Sequence, residues 1–344
     1  MGIRSRSVFR IGSMLVIIAV AILIALLALV QRGDDTDAWI ELTRYLPYYW
    51  LLVPCVAAFA LACVLGRRWM LVSLMAPALL ATASMGLEWN EGESGTQRVR
   101  LMTYNAKLHG GNHTPLNLKA VALEVERHDP DILVMQDVDG FLVERTSPPS
   151  IGGPAIFGLA NVYALGQYVV ASRLPLSGCA PGQIGYGNES HRFLHCTIDA
   201  HGTPLSVVTA HFRSPRMGLV ATRQAGFGGL DEWRQNFHER MTQARALARQ
   251  LEGMPRPLIV AGDLNAPESS PVIRALLAAG LRDTFSVAGR GFGYSYGESM
   301  RAGLPFLRID HILASPDIGI AANFVGERGP SEHRPVIADL VLRR

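Results

Sequence analysis

Lysine is almost absent from the 344-residue chain, which carries it only at Lys107 and Lys119. Arginine supplies the rest of the basic side chains, and the net charge at pH 7 is only +3. A protein that neutralises many phosphates of a long nucleic acid usually has a strongly basic face. The composition therefore shows no electrostatic footprint for nucleic acid.

Cysteine is also scarce, with four residues in the whole chain. Cys55 and Cys63 lie in an apolar run, whereas Cys179 and Cys196 lie in the polar part. Neither pair has the close spacing of a zinc site. The second pair falls on predicted neighbouring strands of one meander, so a disulfide and two unpaired buried thiols both remain open.

Charged residues are few, at 18%, and the apolar excess lies almost wholly before residue 90. Apolar runs at about 11–30, 48–65 and 69–87 approach the length needed to cross a bilayer, and aromatic side chains cluster at their ends. A cleaved signal peptide is the alternative for the first run, but no small-x-small cleavage site follows it. Residues 1–89 are therefore predicted to be an all-α membrane anchor with three transmembrane helices.

The arginines predict the orientation of this anchor. Positive residues stay in the cytoplasm, and they occur before the first run and between the second and third runs, at Arg4, Arg6, Arg10, Arg67 and Arg68. Three spans then place everything after Trp89 outside. We expect a multi-pass protein of a bacterial inner membrane with a periplasmic domain, and nothing in the anchor indicates an obligate protein partner.

Residues 90–97 (NEGESGTQ) are polar and predict a linker, and residues 98–344 form the second domain. Short apolar strands alternate there with helices, and some strands are consecutive. Thr114 and Pro115 are typical of a helix start, and residues 231–251 are amphipathic. The pattern predicts an α/β domain of packed sheets flanked by helices.

Polar side chains recur where the predicted strands of this domain end or begin. Each alone is compatible with a turn cap, a buried histidine or a salt-bridge partner. Together they form the set of oxygen ligands and histidines that a hard cation and a general acid or base require. The set comprises Asn105, Asp137, His211, Asp263, Asn265, Asp310, Glu332 and His333.

Seven segments in this order resemble the endonuclease/exonuclease/phosphatase superfamily: LMTYNAKLHG, PDILVMQDVDG, GQYVVASRLPL, VVTAHFRSP, LIVAGDLNAPESSPVI, LRIDHILAS and SEHRPVIADL. The resemblance covers Val99 to Leu342. It implies a four-layer α/β sandwich, with two mixed β-sheets face to face and helices outside.

The resemblance also implies roles for individual residues. The catalytic residues would be His333, Asp310, Asp263, Asn265 and His211. A Mg²⁺ or Mn²⁺ ion would be held by Asp137, Asn105 and Glu332. Substrate contacts would come from Arg308 and Arg213, whereas Tyr294 and Tyr296 could stack on a base, pack on a lipid or rest on the surface, with the surface slightly favoured.

Two positions depart from the family pattern, because Asp137 stands where the family usually has glutamate and Glu332 where it usually has aspartate. Both positions keep a carboxylate, but the side chain is one methylene shorter at Asp137 and one methylene longer at Glu332. The sequence thus predicts a membrane-anchored, divalent-metal-dependent phosphoesterase acting on nucleic acid or phospholipid. The alternative is a non-catalytic membrane protein that binds a phosphorylated ligand at a degenerate metal site.

Overall fold

The computed structural model describes residues 3–33, 36–109, 112, 114–140, 142, 150–299 and 303–343. It divides into two compact units, Met1–Leu87 and Glu88–Arg344. Each unit has its own packed interior.

The first unit is helical. It contains α1 (Ile3–Arg32), α2 (Ala38–Thr43), a 3₁₀ turn (Tyr48–Leu51), α3 (Leu52–Leu65), α4 (Arg67–Leu79) and a π-helical turn (Leu80–Ser84). Two stretches, Arg6–Arg32 and Tyr48–Leu65, are long and apolar enough to cross a membrane. The third predicted span falls on α4 and the π-helical turn. Among the described residues, this part of the chain is not one of the two stretches that are long and apolar enough to cross a membrane. The three-span anchor therefore stays a prediction.

The second unit combines strands with helices. Its described helices are α5 (Pro115–His128), α6 (Arg216–Ala225), α7 (Leu230–Leu251), α8 (Pro271–Leu277) and α9 (Thr284–Ala288), with a 3₁₀ turn at Gly226–Gly229. Its described strands are β1 (Glu88–Trp89), β2 (Arg98–Asn105), β3 (Ile132–Gln136), β4 (Ser150–Ile156), β5 (Leu159–Leu165), β6 (Tyr168–Ser172), β7 (Leu176–Gln183), β8 (Arg192–Ala200), β9 (Thr203–Ala210), β10 (Leu258–Asp263), β11 (Arg282–Asp283), β12 (Arg290–Gly291), β13 (Asp310–Ala314), β14 (Ile318–Val325) and β15 (Val336–Leu342).

These strands form two mixed sheets. One has the order β14-β15-β2-β3-β6-β5-β4 and the other β11-β13-β10-β9-β8-β7, while β1 pairs with β12. The pairs β2–β3 and β9–β10 are parallel. One hydrophobic core contains Leu101 and Ile132 from the first sheet with Val207 and Ile259 from the second, so the sheets pack face to face. The predicted sandwich of two mixed sheets flanked by helices is confirmed.

Local sequence signals explain the helices that cover these sheets. The Thr114 side chain accepts a hydrogen bond from the Asn117 backbone, and Pro115 opens α5, as predicted. Helix α7 buries the whole predicted apolar face, comprising Trp233, Phe237, Met241, Ala244, Leu247 and Leu251. Burial of that stripe is the main stabilisation of a surface helix.

Two further expectations concern the edges of the second unit. Cys179 and Cys196 form a disulfide that joins β7 to β8, so the structure has the first of the two alternatives left open by the sequence. The predicted linker makes contacts within the unit. The Asn90 backbone donates to Gly289, and the Glu93 carboxylate pairs with Arg282 at 3.0 Å.

Strand pairing brings the polar ends of the strands together. Asn105 lies opposite Gln136 at the end of the β2–β3 pair. Asp263 lies opposite Asp310 where β10 meets β13. The Gln136 side chain bridges the two sheets by donating to Thr209 at 2.9 Å. The fold therefore places the predicted site residues at one end of both sheets.

Candidate active site

A buried carboxylate–imidazole pair lies at the centre of this end of the sandwich. His333 Nδ1 is 2.9 Å from Asp310 Oδ2 and 3.2 Å from Oδ1. The backbone of His333 donates to Ser331 Oγ at 3.1 Å, and Ser331 in turn donates to the Asn105 carbonyl at 2.6 Å. The loop before β15 is thereby tied to the end of β2, and the imidazole is held in one orientation.

The carboxylates around His333 favour its protonated form. Burial alone lowers the pKa of this imidazole, but the negative charges of Asp310 and Asp263 outweigh burial and raise the pKa above its ordinary value. Because Asp310 faces Nδ1, the other ring nitrogen Nε2 is directed towards Asp263, at 3.7 Å from its Oδ2. The two carboxylates thus favour the protonated imidazole, and Nε2 faces Asp263 in the middle of the site.

Asp263 is the point at which the other side chains converge. Its Oδ2 accepts a hydrogen bond from Asn105 Nδ2 at 2.8 Å and lies 3.4 Å from His211 Nε2. Its Oδ1 accepts from the Asn265 backbone at 3.0 Å. Asp263, Asp310 and His333 offer ligand atoms that all lie within 4.8 Å of one another, so they can also hold a metal ion.

His211 and Asn265 are fixed by neighbours outside this group. His211 Nδ1 lies 2.6 Å from Gln167 Oε1, and its backbone donates to the Tyr168 hydroxyl at 3.0 Å. Asn265 has a positive φ of 50°, a conformation that asparagine tolerates, and its amide donates to the Phe212 carbonyl at 2.9 Å. Both side chains are therefore positioned before any substrate arrives.

The side-chain amide of Asn105 is only half satisfied within the described part of the chain. Its Nδ2 is bonded to Asp263, but among the described residues no donor lies within hydrogen-bonding distance of the buried Oδ1. A buried acceptor left without a donor is destabilising unless a cation or a ligand satisfies it. The carboxylate oxygens of Asp263 and Asp310 and the Oδ1 of Asn105 are oxygen ligands of the kind that a hard divalent cation prefers.

The predicted metal ligand Asp137 lies beside two basic side chains. Its Oδ2 lies 3.4 Å from Lys107 Nζ and 3.3 Å from His109 Nε2. Both Asp137 and Lys107 adopt positive φ angles, 60° and 48°, which are uncommon for residues other than glycine. A basic side chain therefore lies on the carboxylate that stands where the family usually has glutamate.

The third predicted metal ligand, Glu332, precedes His333 in the sequence and lines a cavity. The cavity has a volume of about 200 Å³, and its walls comprise Ala106, Lys107, Leu108, Asn112, Asn117, Pro330 and Glu332. Glu332 Oε2 also lies 3.9 Å from Arg216 Nη1. Glu332 is thus at the mouth of the site and is about one-third exposed.

The two arginines predicted to contact substrate are held by protein carboxylates. Arg308 is buried, with Nη2 at 2.7 Å from Asp283 and Nε at 3.8 Å from Glu268. Arg213 is paired with Glu239, and its guanidinium lies over the Tyr186 ring at 5.1 Å from the centroid. Both guanidinium groups are thus paired within the protein, and the substrate-binding roles of Arg308 and Arg213 stay predictions.

The comparison with known proteins identifies the family of the second unit. Residues 102–333 match the model of the Endonuclease/Exonuclease/phosphatase family. The chain belongs to the endonuclease/exonuclease/phosphatase family. The resemblance predicted from the motifs is confirmed, and no curated protein matches this family member.

Solved structures of the family share the fold at low sequence identity. An endonuclease/exonuclease/phosphatase from Beutenbergia cavernae is 19% identical over 72% of each chain, with a TM-score of 0.50. A family protein from Bacteroides vulgatus is 18% identical over 72% of this chain and 100% of its own, with a TM-score of 0.52. D. rerio TDP2, complexed with single strand DNA product, is 16% identical over 71% and 99%, with a TM-score of 0.50.

This family member has site features that sequence reasoning missed. The Tyr296 side chain is partly buried, and its ring centroid lies 4.7 Å from that of His333. The slightly favoured position on the domain surface was therefore wrong for this residue. Burial and the nearby Glu332 carboxylate raise the pKa of Tyr296. Tyr294 instead stacks on Phe292. Gln167 was also missed, although it lies at the start of a motif segment that the resemblance contains.

Proposed function

We propose that the protein is a membrane-anchored, divalent-metal-dependent phosphoesterase that hydrolyses phosphodiester or phosphomonoester bonds. The observation that carries the proposal is the buried group of Asp310, His333 and Asp263, in which an imidazole held by one carboxylate faces a second carboxylate. Family membership supports the same reaction class, because the family contains phosphoesterases.

The protein's own groups supply the elements of an in-line displacement. Asp263 is placed to accept a proton from a water molecule and to orient it towards phosphorus. His333, whose protonated form Asp310 favours, donates from Nε2 to a phosphoryl oxygen and stabilises the charge that develops there. His211 also approaches Asp263 and contributes a second contact to the phosphoryl group.

A divalent cation fits the unsatisfied oxygen of Asn105. Asn105, Asp137 and Glu332 are the proposed ligands, and their oxygen atoms favour Mg²⁺ or Mn²⁺ over softer metals. When bound, the cation neutralises negative charge on the phosphoryl oxygens. The ammonium of Lys107 must be displaced from Asp137 or remain beside the ion, so Lys107 tunes the affinity of this site.

The proposed location is a bacterial inner membrane, with the catalytic unit in the periplasm. Two stretches are long and apolar enough to cross a bilayer, and the arginine distribution of the sequence favours an outside position for the second unit. The Cys179–Cys196 disulfide supports an oxidising compartment, because such bonds are rare in a reducing cytosol.

Nucleic acid and phospholipid are the two proposed substrate classes, and one experiment separates them. The full chain in detergent would be incubated with Mg²⁺ or Mn²⁺ and a soluble aryl phosphodiester, DNA, RNA or phospholipid micelles. We expect turnover that is lost with EDTA and with His333→Ala, but kept with His201→Ala, an exposed histidine on a turn. Turnover that survives His333→Ala contradicts the proposed site.

The contacts of Asp137 favour one second candidate, a non-catalytic protein that binds a phosphorylated ligand. The Lys107 ammonium already pairs with this carboxylate and His109 lies beside it, as they would in a site that has lost its metal. This candidate requires ligand binding without turnover by the natural chain. In that case Asp137→Glu, which restores the family residue, would create activity in an inactive protein. If the natural chain is instead an active phosphoesterase whose site has adapted to aspartate, the same substitution would leave its activity unchanged or abolish it.

A further inference from the structure

A short helical segment at the cleft exposes large apolar side chains. The segment comprises α6 and the following 3₁₀ turn, residues 216–229. Phe227 is 87% exposed and Met217 is 62% exposed. Exposed apolar groups of this size are unfavourable in water, and where they are held at a fixed position they mark a surface that something else covers.

The exposure is built into the packing of the segment. A Cβ on Gly218 would lie 3.0 Å from the Trp233 backbone, and a Cβ on Gly229 would lie 2.2 Å from the backbone of Ala221. Gly218 therefore lets α6 pack tightly on α7, and Gly229 lets the 3₁₀ turn pack tightly on α6. Met217 and Phe227 are therefore presented outwards by a closely packed support.

The charge of the segment has one sign. Residues 214–229 contain Arg216 and Arg223, both exposed, and no aspartate or glutamate. An amphipathic helix that combines arginines with exposed apolar side chains is suited to a bilayer containing anionic lipids, where the rings enter the interface and the guanidinium groups contact phosphates.

The segment also lies directly beside the proposed catalytic group. Helix α6 begins five residues after His211, and Arg216 approaches Glu332, the neighbour of His333, at 3.9 Å. Ten helical residues extend about 15 Å, which is the axial length of α6 between Arg216 and the turn that carries Phe227.

We propose that residues 216–229 bind the surface of an anionic phospholipid bilayer and present a phospholipid phosphoester to the cleft. This proposal rests on the phosphoesterase function proposed above. Water adds across the ester bond: its oxygen bonds to phosphorus, the phosphorus–oxygen bond to the leaving group breaks, and a proton passes to that leaving oxygen. Two apolar stretches long enough to cross a membrane favour lipid over a protein partner as the occupant.

Depth measurements test the bilayer contact without any need for activity. Phe227→Cys would carry a nitroxide label in a full chain with Cys55→Ala and Cys63→Ala, which leaves the disulfide intact. In nanodiscs containing phosphatidylglycerol, we expect the label to be shielded from a water-soluble nickel reagent and accessible to oxygen. A label at Leu123, an exposed leucine of α5, is the matched control. The proposal is overturned if the labels at residues 227 and 123 are equally accessible to nickel. It is also overturned if the label at residue 227 is shielded only in nanodiscs made of purely neutral lipid.

Kinetics separate this proposal from the catalytic one. Met217→Ser with Phe227→Ser should lower the ratio of phospholipid to soluble phosphodiester turnover about tenfold, because two apolar side chains no longer enter the interface. Leu123→Ser should leave that ratio unchanged. If the natural chain hydrolyses neither substrate while the label at residue 227 is buried in lipid, the phosphoesterase function fails and the bilayer contact stands. An unchanged ratio in the double variant, with active enzyme, overturns the lipid presentation.

Discussion

His311 gives the sharpest stability prediction, because it is a fully buried imidazole that must stay neutral. Its Nε2 lies 2.9 Å from the Ala266 carbonyl, and its Nδ1 lies 3.3 Å from the Arg308 guanidinium. Nδ1 therefore accepts from Arg308, whereas Nε2 donates to the loop that follows β10. Burial, and then the positive charge of Arg308, lower the pKa of His311 to about 4.

The sign of the pH effect follows from this difference. The unfolded chain has a pKa of 6.5 at this position, so below that pH it binds a proton that the folded protein does not bind. Stability is therefore present above pH 6.5 and is lost as the pH falls towards 4. Between about pH 7 and about pH 5, one such group lowers the free energy of unfolding by about 2 kcal/mol.

Pulse proteolysis in urea measures this loss on the full chain in detergent, with the disulfide intact. The unfolding midpoint of the second unit would be compared at the two pH values for the natural chain and for His311→Asn, which cannot titrate. We expect the pH-dependent shift to shrink by about 2 kcal/mol in the variant. His201→Asn replaces an exposed histidine at a positive φ and should leave the shift unchanged. An equal pH dependence in His311→Asn and the natural chain would refute the buried neutral histidine.

Three other outcomes are expected from the same structure. Asp310→Asn should lower kcat on a soluble phosphodiester about 100-fold in steady-state assays, because the amide no longer stabilises protonated His333; an unchanged kcat would remove the pair from catalysis. Lys107→Met should tighten Mn²⁺ binding about fivefold by electron paramagnetic resonance titration, because it removes a cation from Asp137; weaker binding would mean that Lys107 organises the site. Reducing the disulfide at Cys196, which closes a separation of 17 residues, should destabilise the second unit by about 3 kcal/mol in urea; an unchanged midpoint would contradict its structural role.

The sequence predicted those parts of the site that depend on strand ends. Asn105 and Asp263 each lie at the end of a short buried strand, and pairing of β2 with β3 and of β10 with β13 brings such ends together. The apolar face of α7 was predicted for a related reason, since its periodicity is local. Patterns within single elements therefore indicated packed sheets flanked by helices and polar residues at strand ends, whereas the four-layer sandwich and the roles of the residues followed from the family resemblance.

Contacts between distant segments were not predictable in this way. Tyr296 reaches His333 because its strand-like segment pairs with Leu307, and no local pattern encodes that pairing. The bond between Asn105 and Asp263 joins residues 158 positions apart. Lys107 was seen only as one of two lysines, although its ammonium lies on a predicted metal ligand. Such contacts depend on the closed sandwich.

Adjacent residues of the segment RIDHIL contact different parts of the protein. Successive side chains of a strand point to opposite faces, so Asp310 faces His333 while His311 faces away towards the loop after β10. Arg308 supports the same loop from behind, because it is bonded to His311 and paired with buried Asp283. The loop carries Asn265, and its backbone bonds to Asp263. Substitutions of Arg308 should therefore lower activity by displacing Asn265 and Asp263, with the loss appearing in kcat and in stability together. That joint loss distinguishes a supporting residue from the substrate contact that the sequence predicted.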